Sequence, residues 1–518
     1  MEFKTYATHH LPHARVIAIE SEREFGLSVL ERLDGELRRR GDLFRTAGVQ
    51  DVPGFRAARP DEPMPRVLLV VDEFQELFVE DDKLAQEAAL LLDRLVRQGR
   101  AFGIHVLLGS QTLGGAYSLA RSTMGQMAVR VALQCSEADA SLILSDERNT
   151  AARYLSRPGE AIYNDQNGLA TGNHPFQVVW LPEPQRIEYL QKVEAKSREQ
   201  GAGGREEKTP KRETIVFEGN QPADPAENGP LAKALDGGLP DKVVPVQRAW
   251  LGAAVAIKDP TFAPFSSHAG NNLLVVGGGE EMALGVLTNA MIALAAQNRV
   301  ECGVRNAEGG IEELHPQFII LDGTRPDSPL VGAWQRVADV LPHRTVVAGV
   351  REVAQVIGEV AAEVAQREAA GREDVPPLYL VIYNGGRFRE LRRTEDDFSF
   401  SSDRDKPAQP DKQWGEILRN GPAWGVHTLV WCDSYNNVTR MIDRLLMREF
   451  EMRVAFQMSA ADSTSLLDTP AAGRLSLHRG LFYSEDVGSL EKFRPYAPPT
   501  DEWLERVRQA FPARPASV

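Results

Sequence analysis

The chain has 518 residues, of which 42% are hydrophobic and 25% are charged, and these values are ordinary for a globular protein of two to four domains. The formal net charge of −14 at pH 7 argues against a broad, non-specific nucleic-acid-binding surface. Three cysteines, Cys135, Cys302 and Cys432, lie far apart without metal-ligand spacing, which fits a reducing compartment and argues against a metal or thiol enzyme. The longest apolar stretch, near 282–296, is too short and too mixed to span a bilayer, so we expect no direct membrane span.

An apolar run in the first half of the chain ends in two carboxylates. Residues 67–71 are apolar without alternation, which is typical of a strand buried on both faces of a parallel sheet, and Asp72 and Glu73 follow directly. After a helical segment, a second apolar run, 104–108, leads to Gln111. Because ligands of open α/β sheets bind beyond the carboxyl ends of the strands, we expect these polar side chains to meet there.

This arrangement suits phosphoryl transfer. Asp72 can hold Mg²⁺ through water, Glu73 can polarise the attacking water, and Gln111 can sense the γ-phosphate or orient that water. The alternative is that the chain simply leaves the core through acidic residues, which for Val-Val-Asp-Glu alone is equally common. The second polar-ended strand, one helix later, favours the functional interpretation.

Composition changes between the two halves of the chain. From about 194 to 242, Gly, Pro, Glu and Lys dominate, as is typical of an interdomain linker. We therefore predict a first domain over 1–190, a linker over 191–242, a second domain over 243–500 and a short tail over 501–518.

The second half contains a strand, a glycine turn and an apolar helix, which is the architecture of a phosphate-binding loop. The turn consists of three glycines, Gly277, Gly278 and Gly279. The positions at which Lys and Ser or Thr would contact the phosphates and the metal hold Ala283 and Leu284. No Gly-Lys dipeptide occurs anywhere in the sequence, so the loop is degenerate.

The two halves repeat each other. The stretch 99–105 (GRAFGIH) matches 421–427 (GPAWGVH), and the strand that begins at Arg130 matches the one that begins at Arg453, so the two matches are offset by 322 and 323 positions. His105 and His427 begin matching strands, and we interpret them as structural.

Each copy has lost a different part of the site. The second copy's counterpart of the acidic strand, 378–382, ends in Tyr383-Asn384 and has no carboxylate. The first copy has only ten residues before its Leu-Pro-His motif, so the phosphate-loop half is missing there. We expect this loss to leave an apolar edge and an apolar face of the first domain uncovered.

With both copies aligned, the chain resembles the FtsK/SpoIIIE family of hexameric, RecA-like ATPase motors. The resemblance covers residues 1 to about 182 and depends on five stretches: 69–74, 99–105, Ser110-Gln111, the strand that begins at Arg130, and 157–163. The second copy, about 243–500, looks like the same fold without catalytic residues, and such tandem units look most like the coupling ATPases of type VII secretion. The implied fold class is α/β, with two RecA-like P-loop NTPase domains whose sheets are mainly parallel, the first lacking its P-loop half.

The resemblance implies roles for individual residues and implies ATP and Mg²⁺ as cofactors. Asp72 and Glu73 match the Walker B pair, with Asp72 holding Mg²⁺ through water, and Gln111 matches the sensor. Arg100 and Arg130 are candidates for arginines that act in trans on a neighbour's γ-phosphate, although an arginine at a helix end or in a strand more often makes a structural ion pair.

The family implies a homo-hexameric ring that uses ATP to move DNA or a secreted protein. We expect a cytoplasmic location, peripheral to the inner face of the membrane through a partner complex or through N-terminal sequence missing here. The alternative is a non-catalytic pseudo-ATPase that acts as an interaction or regulatory module. Because the Walker A lysine is missing, we expect the chain to be the C-terminal portion of a longer protein or of a cut reading frame, and to hydrolyse no ATP by itself.

Overall fold

The computed structural model describes residues 3–9, 11, 13–20, 22–113, 121–144, 148–202, 214–240, 244–298, 317–371, 375–394 and 409–511. The chain forms two compact units, Met1–Gly219 and Asn220–Val518, here called unit 1 and unit 2. In the part of the chain that the structure describes, no helix is both long enough and apolar enough to cross a membrane.

Unit 1 alternates strands and helices. Its helices are α1 (Lys4–Thr8), α2 (Arg23–Ala47), α3 (Val52–Ala58), α4 (Lys83–Gln98), α5 (Arg121–Gly125), α6 (Glu137–Leu144) and α7 (Glu183–Ala202). Its strands are β1 (Val16–Ile19), β2 (Val67–Val71), β3 (Ile104–Leu108), β4 (Arg130–Leu133), β5 (Glu160–Asn164), β6 (Asn173–Gln177) and β7 (Ile215–Glu218).

The strands of unit 1 form three separate small sheets among the described residues. β2 pairs in parallel with β3, β1 pairs in parallel with β7, and β4, β5 and β6 form an antiparallel meander. Helices α2 and α4 cover one face of the β2–β3 pair through a cluster that includes Leu30, Leu37, Leu92 and Leu95. Helix α2 ends at Gly48, which adopts the left-handed conformation that glycine tolerates, and α4 begins at Asp82, whose carboxylate accepts the Ala85 N–H.

Unit 2 is larger. Its helices are α8 (Gly229–Asp236), α9 (Glu280–Ala296), α10 (Ala333–Val340), α11 (Val353–Ala370), α12 (Pro410–Asn420), α13 (Tyr435–Met441), α14 (Ala460–Leu467) and α15 (Asp501–Ala510). Its strands are β8 (Gln247–Ala254), β9 (Thr261–Phe265), β10 (Leu273–Val276), β11 (Phe318–Asp322), β12 (Thr345–Ala348), β13 (Leu378–Tyr383), β14 (Val426–Cys432), β15 (Met452–Ala455), β16 (Gly480–Ser484) and β17 (Ser489–Pro495).

One ten-stranded mixed sheet organises unit 2. Its order is β12-β11-β13-β14-β10-β15-β16-β17-β8-β9, and the strands are parallel from β12 to β15 and antiparallel beyond. Strand β10 lies between β14 and β15, and α9 follows it and is buried from Ala283 to Ala296. Such burial explains why α9 is apolar on every side instead of showing one apolar stripe.

The boundary between the two units along the chain, after Gly219, falls inside the range predicted as a linker, 191–242. Helix α7 extends to Ala202, β7 pairs with β1 of unit 1, and Leu231 and Leu235 of α8 lie in the core of unit 2. The range therefore contributes ordered elements to both units, while its residues 203–213 and 241–242 lie outside the described part. In the predicted tail, α15 packs into the same core of unit 2 through Trp503, and residues 512–518 are not described.

Candidate functional site

The carboxyl end of β2 turns sharply at Glu73. This residue adopts a left-handed conformation (φ 52°, ψ 47°), and a 3₁₀ helix, Phe74–Phe78, follows it. Its N–H donates to Oδ1 of Asp72 at 3.1 Å. The Asp72 carboxylate lies over Gly109, where an added Cβ would be 3.1 Å from Asp72 Oδ1. A larger side chain at 109 would therefore press on the carboxylate.

A polar network joins this turn to the end of the neighbouring strand β3. The buried Gln75 donates its side-chain N–H to Glu73 Oε2, and its side-chain oxygen accepts the Ser110 hydroxyl. The backbone N–H of Gln111 donates to Glu73 Oε2 at 3.3 Å. Asp72, Glu73 and Gln111 are thus brought together at the carboxyl ends of two parallel strands.

The hydrogen bonds to Glu73 favour its charged form. The side chain of Gln75 is the largest influence, and with the backbone and side chain of Gln111 it holds the pKa of Glu73 below its usual range. Glu73 is therefore a carboxylate at neutral pH, able to accept a proton or a hydrogen bond from water.

The two candidate arginines lie elsewhere. Arg100 is exposed in the loop before β3, at the end opposite to Gln111. Arg130 begins β4, is buried, and donates to the backbone carbonyls of Met127, Ile143 and Met124. Three carbonyl partners favour a structural role for Arg130 over action on a neighbouring subunit.

Unit 2 repeats this local geometry, which confirms the internal repeat. Arg453 donates to the carbonyls of Phe450, Leu466 and Met447, at the same sequence separations as the three partners of Arg130. Asn384, the counterpart of Glu73, has the same left-handed conformation (φ 59°). Buried His427 contacts the carbonyl oxygen of Asn271 through Nδ1 at 2.8 Å, which supports the structural interpretation of this histidine.

Aromatic side chains fill the corresponding site in unit 2. Tyr383 stands at the position of Asp72 and Trp431 at that of Gly109, and their rings lie 4.7 Å apart. The Tyr383 hydroxyl donates to the Glu280 carbonyl at 2.9 Å, and the indole N–H of Trp431 donates to the Gly277 carbonyl at 3.1 Å. Burial raises the pKa of Tyr383, so its hydroxyl stays protonated. This side of the glycine turn is therefore occupied by the protein itself.

The glycine turn of unit 2 lies between a strand and a helix, as in a phosphate-binding loop, but negatively charged residues follow it. Gly277 and Gly279 have φ values of 125° and 115°, which glycine adopts readily. Glu280 and Glu281 begin α9, where their negative charge interacts favourably with the positive end of the helix and opposes an incoming phosphate.

The residues of unit 1 fit Mg²⁺ better than they fit the phosphates of a nucleotide. Mg²⁺ usually takes one or two protein carboxylates and completes its shell with waters and phosphates, so the exposed Asp72 fits the protein's share. Among the described residues, no group of three His, Cys, Asp or Glu could hold a metal by itself. The phosphate-binding share does not fit, because the described part of unit 1 has no glycine-rich turn before a helix and the turn of unit 2 has no lysine.

No model of a known protein family matches the chain. The ESX-5 secretion system protein EccC5 of Mycobacterium tuberculosis is 32% identical over 141 residues, which are 25% of this chain and 10% of that protein. The DNA translocase FtsK of Streptococcus pneumoniae is 25% identical over 177 residues, 32% of this chain and 22% of that protein. The cytoplasmic domain of the type VII secretion ATPase EccC of Thermomonospora curvata is similar in structure, with a TM-score of 0.56 at 18% identity over 94% of this chain and 56% of that one.

In sequence the chain is similar to FtsK/SpoIIIE-like proteins of the EccC type, and in fold it is similar to the cytoplasmic domain of EccC. The predicted α/β fold, with two ATPase-like units, is confirmed by this likeness and by the large, partly parallel sheet of unit 2. The part of the chain that aligns with EccC5 spans only 10% of the length of that protein.

One residue of this candidate site was missed by the sequence reasoning. Gln75 links Glu73 to Ser110, although its position two residues after Glu73 places it in a run that reads as the start of a helix. Only the left-handed turn at Glu73 directs Gln75 back toward the carboxylate. A glutamine two residues after a strand-ending acidic pair is the signal that could have indicated it.

Proposed function

We propose that the chain is a subunit of an ATP-driven motor of the FtsK/SpoIIIE type, with unit 1 contributing the acidic half of a nucleotide site. The observation that carries this proposal is the bond between Glu73 and the Gln111 N–H at the carboxyl ends of two parallel strands. In such a site a bound Mg²⁺–nucleotide supplies the phosphoryl group and charge neutralisation.

Each residue of unit 1 then has a distinct task. Asp72 is exposed and would contribute a carboxylate to a bound Mg²⁺, while Glu73 would orient and polarise the attacking water. Gln75 holds the Glu73 carboxylate in place, and Gln111 couples it to the end of β3. Arg100, exposed at the other end of β3, serves a neighbouring subunit of a homo-hexameric ring.

The motor moves a polymer, and the negative charge of this chain favours protein over DNA. The comparison with EccC5, which is named as a secretion system protein, supports the same choice, while the comparison with the DNA translocase FtsK supports DNA. We propose that the chain works in the cytoplasm and reaches the inner face of the membrane through partners.

A second candidate function is a pseudo-ATPase module, and the filled site of unit 2 favours it for that unit. Tyr383 and Trp431 occupy the positions at which unit 1 has Asp72 and Gly109. Under this proposal unit 2 binds a partner or regulates the motor and hydrolyses nothing.

The experiment adds a phosphate-loop half to unit 1 by fusing it to the same chain. Residues 244–340, carrying Met282→Gly, Ala283→Lys and Leu284→Thr, are fused before Leu11, since Leu341 begins the matching motif. We expect the fused protein to hydrolyse ATP in a Mg²⁺-dependent manner, while the original chain does not.

Two variants of the fused protein give the control. Glu73→Gln removes the polarising carboxylate and should lower the rate by at least about 100-fold, in the range typical for general-base catalysis. Glu76→Gln changes an exposed carboxylate in the following turn and should leave the rate unchanged. A fused protein that binds nucleotide but stays inactive, or one whose activity survives Glu73→Gln, refutes the proposed role of unit 1.

A further inference from the structure

One face of the β2–β3 pair in unit 1 is apolar and open to solvent. Helices α2 and α4 cover the other face, but Leu68, Val70 and Leu107 are 62%, 45% and 53% exposed. Val131 and Leu133 of β4 are also about half exposed. Exposed apolar residues grouped on paired strands usually mark a binding surface.

The same positions in unit 2 are fully buried. Leu68, Val70 and Leu107 correspond by strand register to Tyr379, Val381 and Leu429, and all three of these belong to the core under α9. Val131 and Leu133 correspond to Val454 and Phe456, which lie in that core as well. Unit 2 thus shows what covers this face: the helix that follows the glycine turn.

The open edges of β3 and β4 indicate the same missing elements as the exposed face. In unit 2, β10 pairs with both β14 and β15, in the registers Leu273↔Leu429 and Leu273↔Met452. In unit 1, the corresponding strands β3 and β4 belong to separate sheets, and among the described residues neither has a partner on the edge that β10 would occupy. The matching histidines differ in the same way: His427 contacts the Asn271 carbonyl before β10, whereas His105 is exposed.

A third exposed stretch follows β6. Val179 and Trp180 are 85% and 84% exposed. In unit 2 the residue after β17 is Tyr496, which is buried and donates its N–H to the Leu251 carbonyl of β8. The open positions of unit 1 therefore match, element by element, the places that β8, β10 and α9 fill in unit 2.

We propose that unit 1 binds a partner polypeptide with the form of residues 247–296: a strand pair, a strand, a glycine turn and an apolar helix. Its strand pairs between β3 and β4 by main-chain hydrogen bonds, and its helix covers Leu68, Val70 and Leu107. The role of this glycine turn rests on the proposed function. The glycine turn of the partner carries the phosphate-binding lysine and places it opposite Asp72 and Glu73.

The occupant comes from outside these 518 residues. The stretch 247–296 is already paired and buried in unit 2. Moreover, no Gly-Lys dipeptide occurs in the sequence, so no stretch of this chain can supply the lysine in its usual setting. Two copies of this chain would therefore still lack it.

The test uses the full chain and a defined probe, residues 244–298 carrying Met282→Gly, Ala283→Lys and Leu284→Thr, expressed together as a separate tagged polypeptide. We expect the chain to purify with the probe, and amide hydrogen exchange in β3 and β4 to slow by about tenfold or more as their open edges become paired. No ATP is needed for this measurement, so docking is measured apart from catalysis.

A matched pair of substitutions locates the contact. Leu107→Glu adds a charge to the open face and should reduce the amount of chain recovered with the probe by about tenfold or more. Leu477→Glu adds the same charge to an exposed leucine of unit 2, 74% exposed, and should change nothing. Failure to purify together, or recovery that Leu107→Glu leaves intact, overturns the proposal.

The two proposals fail differently. Protection of β3 and β4 without Mg²⁺-dependent ATP hydrolysis supports the docking surface and removes the motor function. An active fused protein together with a probe that does not bind supports the motor function and removes the docking surface.

Discussion

A pair of equivalent leucines provides a quantitative test of the open face. Leu107 in β3 and Leu429 in β14 occupy the same register position beside Val70 and Val381, yet Leu107 is 53% exposed and Leu429 is 0% exposed. Leu429→Ala leaves a cavity in the core of unit 2 and should cost about 3 kcal/mol of unfolding free energy. Leu107→Ala loses only half of a leucine's burial and leaves no enclosed cavity, so its cost should stay below about 1 kcal/mol.

Thermal unfolding distinguishes the two changes. Six of the seven tryptophans lie in unit 2, so tryptophan fluorescence reports mainly on that unit. A loss of about 3 kcal/mol should lower its Tm by about 6 to 12 °C. For Leu107→Ala, the rate of amide hydrogen exchange in peptides of unit 1 should rise only slightly. If Leu107→Ala destabilises unit 1 by more than about 2 kcal/mol, the face is packed in solution and the reasoning from its exposure fails.

Two further predictions concern charge and backbone conformation. Burial lowers the pKa of both His343 and His427 to about 4, so the unfolded chain takes up protons first and unit 2 should lose about 1.4 kcal/mol per pH unit for each histidine between pH 6 and 4.5. Acid unfolding that is equally steep in His427→Asn contradicts this. Glu73→Asn, which puts the residue of Asn384 into the left-handed turn, should stabilise unit 1 by up to about 1 kcal/mol, measured by hydrogen exchange, and abolish activity of the fused protein. A destabilised variant contradicts the assignment of strain.

The sequence predicted the parts of the site that depend on strand order. Continuous apolar runs identify parallel strands, and the carboxyl ends of such strands must meet at one edge, so the approach of Glu73 to Gln111 could be predicted. The predicted burial of residues 67–71 on both faces was wrong, because Leu68 and Val70 are exposed on one face. The constant offset between copies likewise predicted that the strand beginning at Arg130 matches the one beginning at Arg453, and the matching carbonyl bonds of the two arginines agree with this.

Other features depend on contacts between residues far apart in sequence. The role of Arg130 is decided by the carbonyl of Ile143, thirteen residues later, and nothing in a strand pattern specifies that contact. Composition predicted a linker over 191–242, yet β7 pairs with β1 nearly 200 residues away. The aromatic filling of unit 2 was missed because Tyr383 and Trp431 each read as ordinary strand residues until their neighbourhood is known.

The left-handed turn at the end of the acidic strand holds Glu73 in unit 1 and Asn384 in unit 2. A left-handed conformation is unfavourable for Glu and better tolerated by Asn, so unit 2, which has Asn384, carries the residue that suits the turn. Unit 1 has Glu73 in the same turn, where we expect a cost in stability, although the geometry does not require a carboxylate there. Strain held at one position while its twin has relaxed is the pattern expected where the side chain itself is needed. Since unit 2 has lost both carboxylates and unit 1 has kept both beside an open apolar face, unit 1 is the copy in which a completed nucleotide site would have use for them.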